Sequence, residues 1–445
     1  MYKHQSILLF AVTLLAAVSL VTTGCTGGRK ARRGDAADTV SAPLSVNFYL
    51  ERSGSMIPYD SPQGSGEFKD AIVSLLNALP MEGDGADVRL FVVNDGVYDY
   101  PQTFREFIAD KDVFATTQGI GDATYTDFGQ ILDSLFVHSG DNDISILASD
   151  MIYSTKDVGV VNTGKIFSEA RAVTQNIMKT EGDGKSVVLV KLNASFVGTY
   201  YPYNNAAGVK YDGMRPYYLL IVGRDECINR MMTDERYAKF SKLQELNGFE
   251  QMMLFCGSDR YNPYYSLVQN DNDMKGRMRT DRRRNEGDGI HAVTDVEGDR
   301  ESGELQMVVA ADMGNMFIAD SYLTNPENYI VEADDSVEIT GIEPIEHADI
   351  TPNNRDVLQK ATHRIILKMP RMTHDQEVRI SLRNQFQQWI TDSSSDDDSR
   401  PDASDPQFAS TTFSLRHLMQ GIYDSYANRE NRGLNYFTIT LNLRK

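Results

Sequence analysis

The stretch SVNFYLERSGSM, Ser45–Met56, turns from apolar to polar at one residue. Ser45–Leu50 reads as a buried strand that runs straight into Glu51, and Ser53 and Ser55 follow with a glycine between them. Two hydroxyls and a carboxylate this close are the oxygen donors a hard divalent cation takes. Whether they act together depends on what else the chain brings to the carboxyl end of that strand.

Outward from it, strands and helices alternate. Gly66–Pro80 places Phe68, Ile72, Leu75, Leu76 and Leu79 at helical spacing, and Asp87–Asp95 is a second strand. Thr126–Phe136 is helical again through Phe128, Ile131, Leu132 and Leu135, and Ile144–Ser149 is a short apolar strand of central type. TGKIFSEARAVTQNIMK is a helix, SVVLVKL and RPYYLLIVG are strands, and DECINRMM is a helix. The alternation predicts an α/β fold, a doubly wound and mostly parallel sheet. In such sheets ligands bind at the carboxyl ends of the strands, where loops lead into helices. Glu51, Ser53 and Ser55 lie just past the first strand, Thr126 closes the loop GIGDATYT at the start of a helix, and Asp150 follows ISILAS. All three segments are expected at one end of the sheet.

In that order and setting, Glu51-Arg52-Ser53-Gly54-Ser55, the Thr126 helix start and Asp150 resemble the von Willebrand factor type A domain and its metal-ion-dependent adhesion site. The resemblance spans about residues 44–248. It implies a metal site built from Glu51, Ser53, Ser55, Thr126 and Asp150, with Mg²⁺ the first expectation and Mn²⁺ or Ca²⁺ after it. It also implies one coordination position left open for an acidic side chain of a partner protein. The departure is Glu51, where the family pattern has aspartate. One more methylene carries the carboxylate up to about 1.5 Å further. That reach either displaces the water through which the aspartate acts or crowds the site. The expected function is therefore protein binding or assembly, not catalysis. The alternatives are a degenerate, metal-free A domain with a structural role and a metal-assisted hydrolase using Glu51 and Asp150. The hydrolase needs an activating base that the sequence does not supply.

The N-terminus reads as a processing signal. Lys3 and His4 precede an apolar run from Ile7 to Val21, too short to span a bilayer, which needs about 20 residues. Gly24-Cys25 resembles the end of a bacterial lipobox, although Thr22 stands where leucine is usual. Residues 1–25 are thus expected to be a lipoprotein signal with Cys25 as the lipid attachment site, and residues 26–43, with Arg29, Lys30, Arg32 and Arg33, a flexible tether. The location implied is the bacterial cell envelope, lipid-anchored, with the outer membrane or cell surface favoured; the signal disfavours the rival reading of an intracellular adaptor. The formal net charge of −19 argues against a nucleic-acid partner. Beyond Cys25 only Cys227 and Cys256 remain, either paired or buried.

From residue 249 to 445 the rhythm changes to short strands: EQMMLF, ELQMVVAAD, SVEITGIEP, HRIILKMP, EVRISLRN and YFTITLNLR. A β-rich, sandwich-like second domain is expected, with one helix near residues 414–429. The polar stretches 278–300 and 391–406 read as flexible surface, DNDMKG (271–276) as a solvated turn, and EGDGKS (181–186) as a turn rather than a phosphate loop. GTYYPYNNAAGVKYDGMRPYY (198–218) carries six tyrosines, either a recognition surface or core and rim.

Overall fold

The computed structural model describes residues 42–80, 88–110, 112–153, 162–285, 287–430 and 433–445. Cys25, the signal and the basic cluster of the tether lie outside the described residues. Seven strands form the main sheet: β1 Ser45–Glu51, β2 Val88–Val93, β3 Val97–Asp99, β4 Asp143–Ser149, β5 Lys185–Tyr200, β6 Val209–Arg224 and β7 Phe249–Phe255. Their spatial order is β3-β2-β1-β4-β6-β5-β7. Pairing is parallel for β1 with β2 and for β1 with β4, and antiparallel everywhere else. The fold is mixed α/β, and the expected parallel arrangement holds only for β2, β1 and β4.

The departure has a plain cause. β5 and β6 have no helix between them and form one antiparallel hairpin, in register from Lys185 opposite Arg224 to Tyr200 opposite Val209. A parallel neighbour would have needed a crossover of a dozen residues or more. Only residues 218–223 of β6 pair with β4, the last pair being Ser149 with Tyr218. Because β6 runs opposite to β4, its earlier residues, together with Asn193–Tyr200 of β5, extend past the carboxyl end of β4.

Helices cover both faces. Val46, Phe48 and Leu50 of β1 point to one face, where α1 (Glu67–Asn77) packs Phe68, Ile72, Leu75 and Leu76, α2 (Phe104–Ala109) packs Phe107, and α5 (Asp225–Thr233) packs Ile228 and Met231. Tyr49 points to the other face, where α3 (Phe128–Val137) and α4 (Thr163–Thr180) present Ile131, Leu132, Leu135, Ile166 and Ala170. α2 escaped the sequence reading because it is short, but a capping box between Thr103 and Glu106 starts it.

Two larger sheets follow, besides a two-stranded one that pairs Ser394–Ser395 with Thr412–Phe413. One runs 329–332, 376–383, 435–443, 292–297, 277–280, and the other 338–344, 363–369, 305–311, 265–267. Their inward residues, among them Met307, Val309, Ile365, Leu367, Ile380 and Ile439, join the same core as the α1 face of the main sheet. The boundary expected after residue 248 lies directly before β7, an edge strand of the main sheet, and residues 43–445 form one compact unit.

The polar stretches differ from expectation. Residues 277–280 and 292–297 pair as an antiparallel ribbon, Asp271 is buried against Arg364 at 3.1 Å, and Asp398 is buried too. Cys227 and Cys256 are both free and buried.

The helix Leu415–Ala427 packs on α4 and not within the β-rich half. Gly421 is what lets it approach: a Cβ there would fall 1.9 Å from Oγ1 of Thr174, whose hydroxyl donates to the Leu418 carbonyl at 2.9 Å. We predict that Gly421→Ala lowers stability by about 1–2 kcal/mol. The helix-propensity gain of about 1 kcal/mol is outweighed by an overpacking cost of roughly 2–3 kcal/mol, the upper part of the usual range, because the Cβ would also meet the Arg171 carbonyl at 2.5 Å. Urea unfolding measures this, and a variant as stable as the parent would mean the helix does not dock there.

Candidate functional site

Three chain reversals meet at the carboxyl ends of β1, β2 and β4. After Glu51, the Arg52 amide bonds to the Val93 carbonyl at 2.9 Å, tying the first loop to the end of β2. The turn then closes through the Ser53 carbonyl, and the Ser53 and Ser55 hydroxyls lie 3.0 Å apart. The second loop is fastened by Asn94, which the sequence reading passed over. Its side chain donates to the Ile120 carbonyl at 2.9 Å, and its own carbonyl accepts from the Asp127 amide at 2.8 Å. Gly121, at φ 63°, packs so closely on Asn94 that a side chain there would collide with it. The Gly54 amide donates to the Ala123 carbonyl at 2.9 Å, joining the first loop to the second.

Thr126 does not open the helix. Asp127 is the cap, accepting from the Gln130 amide at 3.2 Å, and Thr126 stands one residue outside it. That position turns its hydroxyl to Glu51, to which it donates at 2.8 Å. The third loop turns at Met151, held in the left-handed region at φ 56° although it has a long side chain. Such a conformation costs of order 1–3 kcal/mol and persists only where its surroundings impose it. Here the Met151 amide bonds to the Ser149 hydroxyl at 2.8 Å and the Ile152 amide to Oδ1 of Asp150 at 3.0 Å.

The structure thus brings together Glu51, Ser53, Ser55, Thr126 and Asp150, and adds Ser149, whose hydroxyl donates to Oε2 of Glu51. Glu51 is 2% exposed and Asp150 1%. Burial, then the charge of Asp150, pushes the Glu51 carboxyl up to about 8, against the hydrogen bonds from Ser149, Thr126 and Ser53. Burial also raises Asp150, opposed by Ser55, the Ile152 amide and Arg215. Oδ2 of Asp150 is buried with no hydrogen-bond partner.

This donor set fits a hard cation. Thr126 and Ser149 donate their hydrogen bonds to Glu51, so Thr126 keeps its lone pairs free and Ser149, which accepts from the Met151 amide, keeps one. The extra reach of glutamate is taken up in holding those hydroxyls. Among the described residues no three His, Cys, Asp or Glu side chains form a metal cluster. A cation here would rely on hydroxyl oxygens, which suits Mg²⁺ better than a nitrogen- or sulfur-seeking metal.

The hairpin tip covers the site. Gly54 lies under the ring of Tyr201, which would stand 3.1 Å from a Cβ there, and Tyr59 donates to the Pro216 carbonyl at 2.5 Å. Of the six tyrosines in 198–218, four are buried (Tyr200, Tyr211, Tyr217 and Tyr218), Tyr203 is half-buried, and Tyr201 is 40% exposed. Asp398 latches the hairpin: it accepts from the Tyr200 hydroxyl at 2.7 Å and the Tyr203 amide at 3.0 Å. Tyr203 also stacks on Phe413, with ring centroids 5.0 Å apart.

No family model, curated protein or solved structure matches the chain. No helix among the described residues is long and apolar enough to cross a membrane.

The raised Glu51 sets a direction for pH. Between the ordinary value of 4.5 and about 8 the folded chain keeps a proton that the unfolded chain has lost, so stability falls as pH rises through that window. We predict that, in chelator, the thermal midpoint declines from pH 5 to pH 8 and that Glu51→Gln flattens the decline. Equal slopes for parent and variant would remove Glu51 as its source.

Proposed function

We propose that residues 44–248 act as a von Willebrand factor type A-like module, doubly wound about its parallel strands. It binds a divalent cation, Mg²⁺ first and Mn²⁺ or Ca²⁺ after it, and engages an acidic group of a partner protein. Ser53, Ser55, Thr126 and Asp150 are the ligands, and Glu51 stands behind the hydroxyls. The observation that carries this reading is the unpartnered, buried Oδ2 of Asp150 beside the paired hydroxyls of Ser53 and Ser55. A carboxylate oxygen buried without a donor is costly unless a proton or a cation satisfies it. When bound, the ion supplies an electrophilic contact for a carboxylate. The role is binding rather than catalysis, at the bacterial cell envelope, with lipid on Cys25 as the anchor.

Calorimetric titration with Mg²⁺ and Mn²⁺ tests the site. We expect binding by the parent, loss of binding in Asp150→Ala, and affinity weaker by about 10–100-fold in Glu51→Ala, the usual cost of removing a group that orients ligands. Glu51→Asp should bind and leave the ion more receptive to a carboxylate. A second reading has its own support: both Glu51 oxygens are already hydrogen-bonded and Tyr201 lies over Gly54, as in a metal-free scaffold. Absence of binding by the parent at millimolar metal would decide for that scaffold.

The anchor is tested separately. Cys25→Ser should move the protein from the membrane to the soluble fraction, and continued tight membrane association would sink the lipoprotein reading.

A further inference from the structure

Arg215 is a buried charge that the site as described does not use. It is 1% exposed and lies on β6 three residues before the last pair with β4, just past the carboxyl end of that strand. Its guanidinium makes no ion pair within 4.0 Å among the described residues. It rests instead between rings, with Cζ 4.3 Å from the centroid of Phe408 and 4.8 Å from that of Tyr200. Nη1 donates to the Phe408 carbonyl, and Nε has no partner. Stacking and one carbonyl hold the plane but do not neutralise the charge. Asp150 follows Ser149, the residue paired with Tyr218, so it lies at the same strand end as Arg215. Asp398 is bonded to Tyr200, on whose ring the guanidinium rests. The guanidinium charge favours the ionised form of both carboxyls. Asp398 already has two donors, whereas Oδ2 of Asp150 has none.

We propose that Arg215 determines the specificity of the metal site, a fixed cation behind Asp150 that keeps a bound divalent ion short of negative charge and so selective for an anionic partner group. The proposal rests on the metal reading above. Once a bound ion displaces their protons, Glu51 and Asp150 together would carry enough charge to neutralise a divalent ion, which would leave it little attraction for a further carboxylate. A guanidinium held among apolar rings, where water cannot screen it, counters part of that charge. The rings and the Phe408 carbonyl hold the guanidinium in place, and the latch at Asp398 shares its field. Arg215 thus weakens cation binding and strengthens anion binding at the loaded site. A merely structural tie between hairpin and latch would do neither.

The test uses the full chain, Mn²⁺ as the metal and acetate as the anion, read by the relaxation rate of water protons at the bound ion. Arg215→Met, which keeps the stacked stem, should bind Mn²⁺ about tenfold more tightly, and acetate should bind its loaded site about tenfold more weakly. Asp398→Asn should move both in the opposite direction, since it leaves the Arg215 charge less offset. Arg215→Lys should stay close to the parent in both. Folding is checked by near-ultraviolet circular dichroism, and if Arg215→Met does not fold, Asp398→Asn carries the test alone. Folded variants whose Mn²⁺ and acetate affinities equal the parent's would overturn the role of Arg215 and leave the metal reading standing. A parent that binds no Mn²⁺ would overturn both.

Discussion

Parallel pairing of β1 with β2 on one side and β4 on the other is the constraint on which the site depends. The registers Leu50 to Val92 and Leu50 to Ala148 make the three strands finish level. Three chain reversals must then share one small volume. Every loop there has to find partners for its backbone groups away from water, and the bonds from Arg52 to Val93, Gly54 to Ala123 and Asp127 to Asn94 are how they do so. Glu51 and Asp150 are neighbours because their strands end together. No attraction between them is needed, and as like charges they have none.

A carboxylate pair placed by backbone register must be made tolerable by its surroundings. Glu51 is satisfied through Thr126 and Ser149, both hydroxyl donors supplied by the same loop ends. Asp150 is satisfied only in part, through the Ile152 amide and the approach of the Ser55 hydroxyl, and its second oxygen is left for a proton or a cation. The strained turn at Met151 belongs to the same arrangement, since its amide is held by the serine that donates to Glu51.

Much of this was legible in the chain because it is local. Apolar runs ending in polar residues marked β1, β2 and β4, and helical spacing marked α1, α3 and α4. Once the strands were taken as parallel, Glu51, Ser53, Ser55, Thr126 and Asp150 followed as neighbours. What stayed illegible is non-local. The hairpin strands run to sixteen residues each, but their outer halves carry tyrosine, glycine, asparagine and threonine, a composition that reads as loop until a partner strand is known. Asp398 sits in an acidic, serine-rich run that has every mark of solvated surface. It is buried because Tyr200 and Tyr203, some two hundred residues away, bring two donors to it. Arg215 looked like the polar start of a strand. Its burial depends on Phe408, which no local pattern links to it.

The long hairpin changes what the parallel strands can be used for. In a sheet whose strands all stop level, the loop ends would face solvent directly. Here the overhang of β5 and β6 places Tyr201 over Gly54, and Asp398, Thr412 and Phe413 hold the hairpin from the other side through Tyr200, Tyr218 and Tyr203. Those three residues lead into the helix Leu415–Ala427, which is fastened to α4 across Gly421. The cover over the carboxylates is therefore held in place in part by residues of the last third of the chain.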